Sequence, residues 1–106
     1  MKIIIKKPGE VAQLVEIKDD SEIRSHVGGW LEMIPMFNRT QVPHGVVALG
    51  DSESKLKGLA PNIVIFEDVV CGPLVVANMD EEGETISLDD EELNEKLIDS
   101  LNTLSL

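Results

Sequence analysis

Lys2-Ile3-Ile4-Ile5-Lys6-Lys7, then Pro8-Gly9, then Val11-Ala12-Gln13-Leu14-Val15-Glu16-Ile17 is the stretch that decides the fold. A β-branched run, a turn dipeptide and a second run predict a β-hairpin. In the second run Val11, Gln13, Val15 and Ile17 alternate against Ala12, Leu14 and Glu16, as strand geometry requires. Lys18-Asp19-Asp20-Ser21 leads on into Glu22-Ile23-Arg24-Ser25-His26-Val27, a helix of about two turns. Asp20 or Ser21 is placed to accept from its first free N–H groups, and Glu22 lies near its positive end. Gly28-Gly29 ends the helix, because glycine enters the left-handed conformation without a Cβ clash.

Trp30 to Phe37 reads as a strand, held to an edge or bulge by Pro35, which lacks a donor N–H. Asn38-Arg39-Thr40 is a turn, and Val42 to Leu49 a further strand interrupted by Pro43. Gly50 to Ser54 is a polar loop, and Lys55 to Asn62 follows no clean period. Ile63 to Phe66 is a short apolar run, and Val69 to Ala77 reads as a buried strand broken at Gly72-Pro73. Leu93, Leu97, Leu101 and Leu104 lie on one face of a C-terminal amphipathic helix, which Ser87 is placed to cap. Asp89, Asp90, Glu91 and Glu92 fill its first turn, where negative charge is favourable. The order ββαβββα predicts an α+β fold with a mainly antiparallel sheet of about five strands. A chain of 106 residues is expected to form one domain over residues 1–106.

The net charge of −11 excludes a duplex-binding footprint, which needs clustered cations. Residues 80–99 carry ten of the twenty acids and one base, Lys96, a local charge of −9 that leaves −2 for the remainder. An acidic decoy meeting a partner's basic surface would use such a block, Asp80 to Asp99. A loop tip followed by a helix start is the favoured account, because the helix start explains Asp89 to Glu92 by itself. No apolar run reaches the length of a membrane span, and the lone Cys71 fits a reducing cytosol, so a cytoplasmic location is expected.

Catalytic motifs are missing. No Gly-x-Ser-x-Gly elbow, metal-ligand spacing or phosphate-loop fingerprint is present, so no catalytic residue, metal or cofactor is expected. What stands out is a set of residues that together look more specific than packing needs. Each alone reads more readily as structural: Gly28-Gly29 as a helix stop, Trp30 as a core residue and Lys57 as a solvated loop cation. Gly28, Gly29 and Trp30 set two bare backbones beside the only indole, where a planar ligand can meet main-chain N–H groups and stack. Glu32, two along on the expected same strand face, would accept from a base edge or a ribose hydroxyl. Lys55, Lys57, Gly58 and Asn62 add positive charge, a flexible backbone and an amide that both donates and accepts.

Val27-Gly28-Gly29-Trp30-Leu31-Glu32 and Lys55-Leu56-Lys57-Gly58-Leu59-Ala60-Pro61-Asn62 resemble an uncharacterised family. Gly72 before a hydrophobic strand and the acidic Gly83-to-Leu88 stretch extend the likeness. Its members are small proteins common in phages, plasmids and other bacterial mobile elements, and the resemblance runs from the Met1 strand to the Leu93 helix. The chain departs from the family pattern at Ala60, where a further proline is usual, and at Ile63, where a basic residue is usual. The resemblance implies a setting, action on host defence, more than a mechanism. The expectation is therefore a non-enzymatic, homo-oligomeric protein that sequesters a small anionic nucleotide-like host immune signal. A second expectation is a protein-contact inhibitor presenting the acidic block to a host nuclease or regulator. A nucleotide-degrading enzyme would need His26 or His44 as general base.

Overall fold

A computed structural model describes residues 1–35 and 45–106. Its elements are β1 (Lys2–Lys6), β2 (Gln13–Glu16), α1 (Ser21–Val27), β3 (Leu31–Ile34) and β4 (Val46–Asp51). Beyond these come β5 (Pro61–Ile65), β6 (Asp68–Cys71), β7 (Leu74–Met79), β8 (Thr85–Ile86) and α2 (Glu91–Leu104). The fold is α+β, with every strand pair antiparallel and one helix at the C-terminal end. The main sheet runs β2-β1-β7-β4-β3, and β8 joins the far end of β7. β5 and β6 form a separate hairpin packed over one face.

The expected element order lacked three strands. Ile63 to Phe66 was too short to stand as a strand by itself, yet β5 exists because β6 pairs with it. Phe66 and Glu67 turn that hairpin with φ of 48° and 67°, the two-residue loop geometry whose twist suits a tight hairpin. The Val69-to-Ala77 strand is two strands, β6 and β7, in different sheets. Gly72 separates them at φ 81°, and its N–H donates to the Ala60 carbonyl. β8 is a two-residue return onto β7 and has no hydrophobic signature. The Asn38-to-Thr40 turn, Met36 and Phe37, and the Val42-to-His44 start of the fourth expected strand lie outside the described residues.

Strand alternation divides the core in two. Ile4, Ala48, Leu74 and Val76 point to the face covered by α2 and the β5–β6 hairpin. Ile3, Ile5, Leu49, Val75 and Ala77 point to the face covered by Ile23 and Val27 of α1. β7 lies in the middle of the sheet, so Leu74 to Ala77 is buried throughout. On α2, Leu97 and Leu101 are buried and Leu93, Ile98 and Leu104 pack beside them, as the spacing predicts.

Both helix starts differ from expectation. α2 begins at Glu91 with Asp90 as its cap, whose carboxylate accepts from the Leu93 N–H at 3.1 Å. Ser87 lies too early: Leu88 is a core residue whose N–H donates to the Lys2 carbonyl, so the chain is still extended there. The Ser87 hydroxyl instead accepts from the Lys2 N–H and donates to Asp89. At α1, Asp20 makes no side-chain cap bond. The Asp19 carboxylate accepts from both the N–H and the hydroxyl of Ser21. Gly28 ends α1 at φ 87°, its N–H donating to the Arg24 carbonyl.

Candidate functional site

The expected site residues fall into three places. On the α1 face, Asp51 at the end of β4 is buried, and the Lys57 amine donates to it at 2.6 Å. The Glu53 N–H donates to its other oxygen. These bonds, Lys57 first, hold the Asp51 carboxyl below the usual carboxylate range. Gly29 makes this pair possible, since a Cβ there would stand 2.5 Å from Asp51 Oδ2 and 2.7 Å from Lys57 Nζ. Gly28 and Gly29 therefore have structural duties, as stop of α1 and as clearance for an ion pair. Lys57 already has a carboxylate partner. Gly58 turns the same loop at φ 67°.

Trp30 precedes β3 and is 64% exposed, with the Arg24 guanidinium of α1 lying 3.9 Å over its ring. Its stacking partner is thus on the α1 side. Glu32 is opposite Gly50 in the register and turns to the other face, so the expected shared face of Trp30 and Glu32 is not realised.

On that other face Glu32 and Lys55 share a groove. It has a volume of about 310 Å³ and lies between β3 and the β5–β6 hairpin, with Asp68 on the hairpin side. Lys55 donates to Asp68 at 3.0 Å. Asp68 first, and more weakly Glu32, raise the Lys55 amine above its ordinary value. Ile34, Val69 and Val70 supply apolar wall, and Ser52 and Ser54 line the loop side. Among the described residues Glu32 has no cationic partner within salt-bridge distance.

Asn62 is the third place. It is fully buried on β5, where its Nδ2 donates to the carbonyls of Lys6 and Gly72 at 2.7 and 2.8 Å. Its Oδ1 accepts from the Lys6 amine at 2.9 Å, so the amide braces the hairpin onto the sheet and does not face solvent. Lys6, which belongs to no motif, is also fully buried, and its amine also donates to the Lys7 carbonyl at 2.9 Å. Burial lowers its pKa from the ordinary 10.5, opposed by the charge of Glu10. The signal was present: strand parity places Lys6 on the face of Ile4. Asp51 was likewise legible from its parity with Leu49, although the flanking Gly and Ser residues suggested a loop.

His26 is half-buried and lines a smaller pocket of about 140 Å³ with Lys7 and Glu10; His44 lies outside the described residues. Within the acidic block Asp80 organises the turn into β8, accepting from the N–H groups of Glu82 and Glu84. Asp89 and Asp90 serve the start of α2. Glu81, Glu82, Glu91, Glu92, Glu95 and Asp99 are exposed. Among the described residues no cluster of His, Cys, Asp or Glu is placed to hold a metal ion, and no helix is long and apolar enough to cross a membrane.

A family model described as a domain of unknown function (DUF3846) matches residues 1–102. The chain belongs to that family. The match covers every strand and nearly all of α2, so the sheet, the groove and both lysine pairs lie within the family domain. No curated protein and no solved structure matches the chain significantly.

Proposed function

We propose that this chain is a non-enzymatic binding module whose ligand seat is the groove between β3 and the β5–β6 hairpin. The observation that carries this reading is the convergence there of Glu32 and Lys55 on apolar walls, in a space of about 310 Å³. Small-molecule sites characteristically combine apolar walls with a few convergent polar groups, and this volume accepts a nucleoside-sized body. Trp30, stacked under Arg24 on the α1 side, is not part of this seat. Gly28, Gly29, Lys57, Gly58 and Asn62 support the scaffold in this reading and do not contact ligand.

The ligand class is a small nucleotide-like molecule, and the role is sequestration of a host immune signal by a protein of phage or mobile-element origin acting in the bacterial cytoplasm. Self-association through the exposed Trp30, Leu31 and Met33 at the β3 edge accompanies it. Thermal-shift and calorimetric titration with cyclic dinucleotides and ADP-ribose derivatives tests the reading, followed by recovery of the ligand after denaturation. A rise in Tm with intact ligand recovered supports it. Absence of any shift across the panel rejects it, and a degraded ligand would make the protein an enzyme instead.

A second reading rests on the exposed carboxylates of α2 and the β7–β8 turn, Glu81, Glu82, Glu91, Glu92, Glu95 and Asp99. These would meet the basic surface of a host nuclease or regulator, and such binding would weaken steeply with salt. Pull-down at low and high salt, with these residues neutralised to Gln or Asn, separates the two readings.

A further inference from the structure

The polar pattern of the groove is narrower than the nucleotide class as a whole. Lys55 brings only N–H donors, and it retains protons beyond the one directed at Asp68. Glu32 brings only acceptors, two oxygens on one carboxylate, with no cationic partner among the described residues. Both line the same groove, and the charge of Glu32 is felt at the Lys55 amine. Ile34 beside Glu32 and Val69 and Val70 on the facing hairpin provide apolar wall for a flat ring.

Of the polar groups in the groove, the donor Lys55 and the two-oxygen acceptor Glu32 together complement one purine edge. Guanine presents O6 as acceptor, then N1–H and the N2 amine as neighbouring donors. Adenine presents the N6 amine and then the bare N1 lone pair, which would face a carboxylate without a proton between them. We propose that the groove selects a guanine base, with Glu32 accepting from N1–H and the N2 amine and Lys55 donating to O6. This selectivity rests on the groove being the nucleotide seat proposed above. Glu32 is the specificity-determining residue in this arrangement. Asp68 keeps Lys55 positioned at the hairpin side, and the sugar and phosphate extend toward solvent.

The test is calorimetric titration of the full chain with GMP, IMP and AMP, repeated with Glu32→Gln and Glu32→Ala. GMP should bind at least about tenfold tighter than AMP, because a site built for a hydrogen bond rejects the analogue that lacks it. IMP, which keeps N1–H and loses only the N2 amine, should fall between them. Glu32→Gln replaces one acceptor with a donor and should remove most of the preference, and Glu32→Ala should remove it altogether. Glu32 is exposed, so both variants are expected to fold, with an unchanged Tm in the absence of ligand as the check. Equal binding of GMP and AMP, or a preference that survives Glu32→Gln, overturns the assignment while leaving the nucleotide reading standing. Failure of every nucleotide in this set and in the wider panel removes both.

Discussion

The two faces of the sheet each bury a lysine contact, and they solve the problem in opposite ways. Toward α1, Lys57 reaches from a half-exposed loop to the buried Asp51 carboxylate. Toward α2, Lys6 is itself wholly buried and meets only neutral acceptors, the Asn62 amide oxygen and the Lys7 carbonyl. A charge removed from water needs an opposite charge or must give up its proton. Asp51 is accordingly held in its charged form, and Lys6 is pushed toward its neutral one. Both contacts fasten residues 51–72 to the sheet, and so both set the walls between which Glu32 and Lys55 stand.

Removing the amide on the α2 face should have the largest effect. Asn62→Leu leaves the Lys6 amine, the Lys6 carbonyl and the Gly72 carbonyl short of partners at a buried site. Each such group costs about 1–3 kcal/mol, so a loss of about 3 kcal/mol or more is expected in urea unfolding. A loss below about 1 kcal/mol would mean that the brace is dispensable. On the opposite face Gly29→Ala drives a Cβ into the Asp51–Lys57 pair and should cost about 1–3 kcal/mol. Its effect should be non-additive with Lys57→Met, because both substitutions disturb the same contact. Simple additivity in that double-mutant cycle would break the link between Gly29 and the pair.

The pH dependence of stability separates the faces by sign. The Lys6 pKa is lowered on folding, so the unfolded chain binds more protons between the folded value and 10.5. Stability should therefore climb as pH rises through that window, with the full contribution present above 10.5. Lys55, whose pKa is raised, opposes this only above its ordinary 10.5. The Asp51 contribution has the other placement, present in full above 3.8 and lost as pH falls through the lower folded value. Urea midpoints measured across both limbs should lose the alkaline climb in Lys6→Met and part of the acid loss in Lys57→Met. If Lys6→Met leaves the alkaline limb unchanged, the buried amine is not its source. The smallest effect is expected at an exposed contact on the Lys6 side, where Asp90→Ala removes the α2 cap for about 1 kcal/mol. A comparable loss from Ser87→Ala would come from its bond to Lys2, and only Asp90→Ala should fray α2 by circular dichroism.

Local chemistry carried much of this architecture in legible form. The N-terminal hairpin, the glycine stop at Gly28 and the Leu97–Leu101 face follow from alternation, left-handed glycine and helical spacing. The extra strands were illegible because β5 and β8 are held by partners, β6 and β7, and not by any pattern of their own. The candidate site was half legible. Glu32 and Lys55 line one groove. Gly29, Lys57 and Asn62 look like ligand residues in a linear reading because the same properties suit buried contacts: a bare backbone, a long cation and a two-way amide. Only three-dimensional burial distinguishes the two uses, and strand parity at Lys6 and Asp51 was the one hint available.

The placement of β1 also has a consequence for how the chain comes to be folded. β1 lies between β2 and β7, and the Lys2 N–H meets Ser87 85 positions further along. The Ile3-Ile4-Ile5 run therefore has one neighbour as soon as β2 is made and no second until β7 has been synthesised. Until then this apolar strand has an unpaired edge, and closing so long a loop delays the contacts that repay it. The stretch that announces the fold at the start of the sequence is thus among the last to be completed on the ribosome, and the nascent chain is most open to aggregation or chaperone capture there.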